Sequence, residues 1–119
     1  MTPLYNYEYK LDLEKLLKET KSKAIFLLTE DGEAVDFYPK GEKLSELQKK
    51  ITVFETTLYN MSNHFFSTYL NANLKEIVLK SDGENILLIK CNEYILCFLS
   101  EKSINTSLLE LVLKKELNH

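Results

Sequence analysis

Apolar residues in the middle of the chain recur at intervals of three and four residues. Across residues 39–74 this repeat lasts for about six helical turns, which predicts one long amphipathic helix. Ser45 and Gln48 form a capping-box sequence at its start, although the helix could also begin near Glu42. The average helix has only about 11–12 residues, so this one is long for its chain. The repeat occupies Leu44, Leu47, Ile51, Phe54, Leu58, Met61 and Phe65.

A short helix and a β-hairpin precede the long helix. Asp12 is placed to cap a helix that continues to about Lys21. The apolar run 24–29, the turn sequence Glu30-Asp31-Gly32 and the weakly alternating segment 33–38 predict two antiparallel strands.

Three strand-like segments and a final helix follow the long helix. The segments are 74–80, 86–89 and 94–99, and the last two are wholly apolar. Continuous apolar strands are covered on both faces, so we expect helices above and below this sheet. The last helix is predicted over 104–117, with a buried stripe of Leu108, Leu109, Val112 and Leu113.

The element order is therefore α-β-β-α-β-β-β-α, which predicts an α+β fold. We assign residues 12–119 to a single domain, because 119 residues with 45% hydrophobic content can bury one sizeable core. Residues 1–11 are predicted to form an N-terminal arm or an extra edge strand. In an extended segment Tyr5, Tyr7 and Tyr9 would share one side, which could pair with a sheet edge of this protomer or of a partner.

Charge and composition exclude several classes of function. All fifteen basic residues are lysine, and the net charge is −3. Because arginine is the usual bidentate ligand of phosphates and bases, nucleic-acid binding is not expected. No apolar run approaches the ~20 residues that span a bilayer, and no signal peptide is visible, so we expect a cytoplasmic protein.

The histidine, cysteine and turn carboxylate residues lack neighbours with which they could form a catalytic or metal site. His64 has Asn60 and Thr68 as helical neighbours, which favours a solvated surface histidine. Cys91 is predicted in a turn and Cys97 in a buried strand, a spacing that favours structural cysteines over a metal or redox pair. The carboxylates at the two hairpin turns are explained by turn chemistry, and no phosphate-binding loop is present. We therefore predict no enzyme activity, no cofactor and no metal.

The order and lengths of these elements resemble the Roadblock family, the dynein light-chain-type domain that includes bacterial and archaeal regulators of small GTPases. The resemblance covers roughly residues 12–117. It depends on the Glu30-Asp31-Gly32 turn, the long second helix, the Asp82-Gly83 hairpin and the closing helix after Ser103. It implies a five-stranded antiparallel sheet, related to profilin and longin architectures, with the long helix on one face and the two terminal helices on the other. It also implies dimerisation through the long helix and through edge pairing of the third strand, here 74–80.

These expectations suggest where two copies would meet. We expect the sheet to bury the seven-residue repeat of the long helix. Tyr59 and Phe66 lie on one flank of that repeat, where they either widen the core contact or form a dimer contact. We favour the dimer contact, because a second apolar flank facing water would be an exposed patch. The predicted interface comprises Glu55, Tyr59, Ser62, Phe66, Leu74, Glu76, Val78 and Lys80.

The function expected from the resemblance is that of a non-enzymatic homodimer that binds a Ras-like small GTPase. Such a protein would modulate the nucleotide cycle through binding energy alone, since the chain has no arginine that could act as an arginine finger. Two alternatives remain at this point: a structural dimerisation adaptor within a larger complex, and a small-ligand sensor with a pocket between sheet and helix.

Overall fold

The computed structural model describes residues 11–41 and 44–117, and it contains the eight elements in the predicted order. The Tyr5-Tyr7-Tyr9 arm lies outside the described residues, so its role and the boundary after residue 11 remain predictions. The helices are α1 (Leu13–Thr20), α2 (Glu46–Tyr69) and α3 (Thr106–Leu117), and the strands are β1 (Ala24–Leu28), β2 (Ala34–Tyr38), β3 (Glu76–Leu79), β4 (Asn85–Cys91) and β5 (Tyr94–Ser100).

Side-chain caps fix where the helices begin. Asp12 caps α1, as predicted from the sequence. Ser45 caps α2 with a complete capping box, in which the Ser45 hydroxyl accepts from the Gln48 amide and the Gln48 side chain accepts from the Ser45 amide. At α3, the Asn105 side chain accepts a 3.0 Å hydrogen bond from the Leu108 amide. These bonds satisfy amides that have no partner within a helix.

The five strands form one antiparallel sheet in the order β2-β1-β5-β4-β3. The centre of the sheet is β5, whose residues Ile95, Leu96, Cys97 and Phe98 are fully buried. The outer strands are β2 and β3. The predicted fold class and sheet are therefore confirmed.

Helices cover both faces of the sheet. On one face, Leu16 of α1 and Leu109 of α3 pack with Phe98 and other alternate strand residues. On the opposite face, Tyr59 of α2 packs with Phe26 and the remaining strand residues. This arrangement confirms the predicted layers and explains why β4 and β5 are apolar at successive positions.

Two local predictions are wrong. Cys91 is the last residue of β4 and is buried, whereas the turn is made by the next residues, with Asn92 in the left-handed conformation at a φ of 57°. The side chain of Leu108 is 49% exposed, because the α3 contact with the sheet is narrower than the apolar stripe of its sequence.

Candidate interaction surface

The side of α2 that faces the sheet is more polar than the side that faces away from it. The residues buried against the sheet, which we call the inner row, are Thr52, Glu55, Thr56 and Tyr59. The predicted core repeat instead faces away from the sheet, so that Phe54 is 55% exposed and Met61 is 66% exposed. We call the residues of the repeat on α2 the outer stripe: Leu47, Phe54, Met61 and Phe65, which are exposed, and Ile51 and Leu58, which are half-buried.

The prediction that the sheet buries the repeat is therefore wrong for the outer stripe. Leu44, the first residue of the repeat, precedes α2 and does pack against the sheet cluster. The helical period shows that one face of the helix is apolar. It does not show whether that face packs against the protein's own sheet or against another chain. A strict repeat with spacings of three and four is also the pattern of a helix–helix contact between chains.

The predicted outward orientation of Tyr59 and Glu55 is wrong for the same reason. Tyr59 is 2% exposed and its hydroxyl donates a 2.6 Å hydrogen bond to the main-chain carbonyl of Leu74. Glu55 is fully buried beneath the helix. These two side chains are contacts within one protomer, and Ser62 and Phe66, on the same flank, are half-buried.

The carboxyl of Glu55 is an unusual component of the inner row. Neither of its oxygens has a partner with good hydrogen-bond geometry among the described residues, and the Cys97 thiol is close enough for only a weak interaction. Burial raises its pKa to about 7, and the neighbouring Cys97 thiol opposes this rise. Burial, together with the nearby Glu55 carboxyl, holds the pKa of Cys97 well above its usual range. Burial therefore favours the protonated form of this carboxyl below about pH 7.

Among the described residues, nothing pairs with the outward-pointing main-chain groups of the outer strand β3. The Lys90 amide donates to the Lys75 carbonyl, and residues 76–79 pair with 89–86 in the same register. Because directly opposed pairs in an antiparallel ladder alternate between bonded and non-bonded, the main-chain groups of Glu76 and Val78 point away from β4. Val78 is also 45% exposed.

The other outer strand, β2, is protected. The Asp36 carboxylate accepts a 2.9 Å hydrogen bond from the Phe37 amide and is also bonded by the Lys40 ammonium. The Lys40 ammonium in addition lies 5.5 Å from the centre of the Phe37 ring. Charged side chains that occupy edge amides hinder the addition of another strand. Within residues 11–41 and 44–117 the two edges of the sheet therefore differ, and β3 is the open one.

The outer stripe and the β3 edge lie on the same side of the molecule. On the opposite flank of α2, the Asn60 amide donates to the Glu30 carbonyl, and the Val53 backbone lies beside Gly32 of the β1–β2 turn. At 100° per residue, Phe54, Leu58 and Phe65 are turned away from that flank and toward β3. The apolar helix face and the open strand edge thus lie toward the same side of the sheet, and we treat them as one candidate interface.

The remaining candidate residues do not converge on a site in the described part of the chain. His64 is exposed on α2, and both cysteines are free and buried. Within residues 11–41 and 44–117 no three histidine, cysteine or acidic side chains are grouped as metal ligands would be. No helix in these ranges has the length and apolar content needed to cross a membrane. An open groove of about 540 Å³ lies between β2 and the first half of α2, lined by Phe37, Leu44 and Val53 among others.

The chain was compared with known protein families, curated proteins and solved structures. No family model and no curated protein matches the sequence. A solved structure described as MglB with tetrameric arrangement superposes with a TM-score of 0.70 at 14% identity, covering 89% of this chain and 79% of that chain. The Roadblock/LC7 domain from Streptomyces avermitilis gives a TM-score of 0.69 at 14% identity, with coverages of 91% and 88%.

A third similar structure is the gliding protein MglB from Thermus thermophilus, with a TM-score of 0.68 at 15% identity and coverages of 89% and 80%. The likeness extends over most of each chain while the sequences have diverged, so it is a likeness of fold. The chain has the Roadblock/LC7 fold, as the sequence resemblance implied.

Proposed function

We propose that this chain is a homodimeric regulatory protein whose two copies meet through the outer stripe of α2 and the open edge of β3. The observation that carries the proposal is the outer stripe, which runs from Leu47 to Phe65 over about 27 Å of helix. A contiguous apolar surface of this length is not expected to remain in water.

The proposed dimer is isologous, because each copy contributes the same stripe and the same strand. Such closed two-fold interfaces are the commonest form of association between identical chains. Of the originally predicted interface, Ser62, Phe66, Leu74, Glu76, Val78 and Lys80 remain beside or within this surface. Glu55 and Tyr59 take no part in it, since both are buried in the protomer.

The proposed partner of the dimer is a Ras-like small GTPase. This part of the proposal is supported by the Roadblock/LC7 fold and by the similar MglB structures, together with the family resemblance to GTPase regulators. Because the chain contains no arginine, the dimer would shift the nucleotide cycle by binding preferentially to one conformation of the GTPase rather than by inserting an arginine finger.

The dimer is tested by Phe65→Glu, with His64→Glu as the matched control. Both residues are exposed neighbours on α2, but only Phe65 belongs to the outer stripe. We expect sedimentation equilibrium to show a dimer for the wild type and His64→Glu and a monomer for Phe65→Glu. A wild type that stays monomeric at high concentration would refute the dimer.

The partner is tested separately with the purified dimer. Small GTPases encoded in the same genome, loaded with GDP or with a non-hydrolysable GTP analogue, are titrated by calorimetry and followed for nucleotide release and hydrolysis. We expect binding that depends on the nucleotide. A dimer that binds none of them and changes no rate would instead support the structural adaptor.

A further inference from the structure

The charged side chains along the open β3 edge are arranged symmetrically. This symmetry allows a more specific inference than the open edge alone. The alternation that turns the main-chain groups of Glu76 and Val78 outward also applies to Lys80, which directly follows the strand. All three side chains line the same cavity of about 190 Å³, between the β3–β4 hairpin and the start of α3. They therefore project from one face of the sheet.

Two of these side chains lack a partner within the described protomer. The Oε1 atom of Glu76 is buried and has no hydrogen-bond partner there. Lys80 is exposed, and it forms none of the ion pairs seen within residues 11–41 and 44–117. A buried carboxylate oxygen without a partner is costly, so the isolated protomer leaves Glu76 in need of a hydrogen-bond donor, which a lysine ammonium can supply.

We infer that two copies pair their β3 strands with Val78 opposite Val78 of the partner subunit, which places Glu76 opposite Lys80 of the partner subunit. This inference rests on the proposed dimer and adds its register. The two-fold axis passes between the two Val78 residues, and the outward-pointing groups of Val78 bond to each other across it. Each interface then contains two identical ion pairs between Glu76 and Lys80.

The neighbouring symmetric registers lack these ion pairs. With the axis at Ile77, Glu76 is opposite Val78 and Lys80 is opposite Leu74. With the axis at Leu79, Glu76 is opposite Asp82, so like charges face each other, which destabilises a strand pair. The register centred on Val78 is the one in which both charges are matched.

The same arrangement of charges predicts which charge variants can associate with each other. A chain with Glu76→Lys is positive at both positions, and a chain with Lys80→Glu is negative at both positions. Each variant repels its own copy, whereas a mixture of the two restores opposite charges at every pair. We expect each single variant to weaken self-association at least tenfold, the equimolar mixture to form a heterodimer, and the double variant E76K/K80E to recover the homodimer.

Cysteine cross-linking tests the register directly in the full chain. Directly opposed residues of a bonded antiparallel pair have Cα atoms about 5.5 Å apart, within the range of a disulfide. We expect Val78→Cys to form a disulfide-linked dimer under mild oxidation and the matched Ile77→Cys and Leu79→Cys variants to remain unlinked. The native cysteines are buried and give no competing signal in the folded protein.

The outcomes separate this inference from the proposed function. Cross-linking through Ile77→Cys or Leu79→Cys would show a different register and overturn the inference while the dimer stands. A dimer that forms without any of the three cross-links, and that tolerates both charge reversals, would show association through α2 alone. A monomeric wild type would overturn both. Circular dichroism and melting of each variant confirm that its fold is retained.

Discussion

The phenol of Tyr59 donates a 2.6 Å hydrogen bond to the carbonyl oxygen of Leu74, two residues before β3 begins. The amide of Leu74 in turn donates a 3.0 Å hydrogen bond to the side chain of Asn63. Both main-chain groups of Leu74 are thus held by α2, so the position of the outer strand depends on the helix that covers the sheet.

Removal of the Tyr59 hydroxyl tests this connection. We expect Tyr59→Phe to lower the free energy of unfolding by about 1 kcal/mol, because the Leu74 carbonyl loses its partner. Tyr69→Phe is the control, since Tyr69 is 71% exposed and should leave stability unchanged. Urea denaturation at a fixed protein concentration measures both. Equal stabilities for the two variants would contradict the structural role of the bond.

The Glu55 carboxyl predicts an unusual dependence of stability on pH. Its pKa in the folded protein is about 7, above the ordinary value near 4.5, so the folded state binds the proton more tightly than the unfolded state. Stability from this group is full below about pH 4.5 and is lost progressively as the pH rises to about 7. The titratable group that faces Glu55 from the sheet is Cys97 of β5, and no basic side chain contributes to this shift.

Glu55→Gln should remove this dependence. We expect the variant and the wild type to be about equally stable at pH 4.5, and the variant to be more stable by up to roughly 3 kcal/mol at pH 8. Chemical denaturation across this pH range gives the comparison. A constant difference between the two proteins at every pH would show that Glu55 does not titrate as described.

The capping box of α2 should stabilise the helix measurably. Ser45→Ala removes the hydroxyl that accepts from the Gln48 amide at 3.1 Å, and we expect a loss of about 1 kcal/mol. Ser45→Asp retains an acceptor at this position and serves as the control. Thermal unfolding of the three proteins is measured at one concentration. Equal melting temperatures for all three would show that the cap does not stabilise the helix.

The turn at Gly32 requires a backbone conformation that other residues rarely adopt. Its φ is +94°, while an added Cβ would make only ordinary contacts with Thr56, the nearest atom being 3.6 Å away. Gly32→Ala should therefore cost roughly 1–2 kcal/mol through backbone strain rather than a clash. Gly83→Ala, in the open β3–β4 turn without a positive φ, should be nearly neutral, and a similar loss at both positions would refute the strain.

The two buried cysteines should report on unfolding. Burial raises the pKa of the Cys91 thiol to about 11, and the pKa of Cys97 is also raised, by burial and by Glu55. Because the thiolate is the reactive form, we expect negligible reaction with a thiol reagent at pH 8 in the native state and two reactive thiols in denaturant. Rapid labelling of the native protein would show that a helical layer opens readily, which is α2 for Cys97 and α1 with α3 for Cys91.

The sequence predicted the elements and their order well because those depend on local signals. Asp12, Ser45 and the Asp82-Gly83 turn specify boundaries through bonds and conformations within a few residues. The orientation of α2 could not be predicted in the same way. The outer stripe is more apolar than the inner row, and a periodic pattern cannot distinguish the protein's own sheet from a second copy.

One signal in the sequence could have corrected the interface prediction. Thr52 and Thr56 are small enough for a helix to approach a sheet closely, and they alternate with Glu55 and Tyr59 on one side of α2. Tyrosine can also satisfy its hydroxyl when it is buried, as Tyr59 does through Leu74. The partner of that hydroxyl is 15 residues away, a distance at which sequence patterns carry no information.

The contrast between the guarded β2 edge and the open β3 edge limits how large an assembly this sheet can build. A protomer with two open edges can add neighbours without end and is at risk of forming fibres. A protomer with one open edge, joined to its copy about a two-fold axis, has no further edge to offer. In the proposed dimer, strand addition would stop at ten strands, five from each chain, with Asp36 and Lys40 at both ends of the sheet.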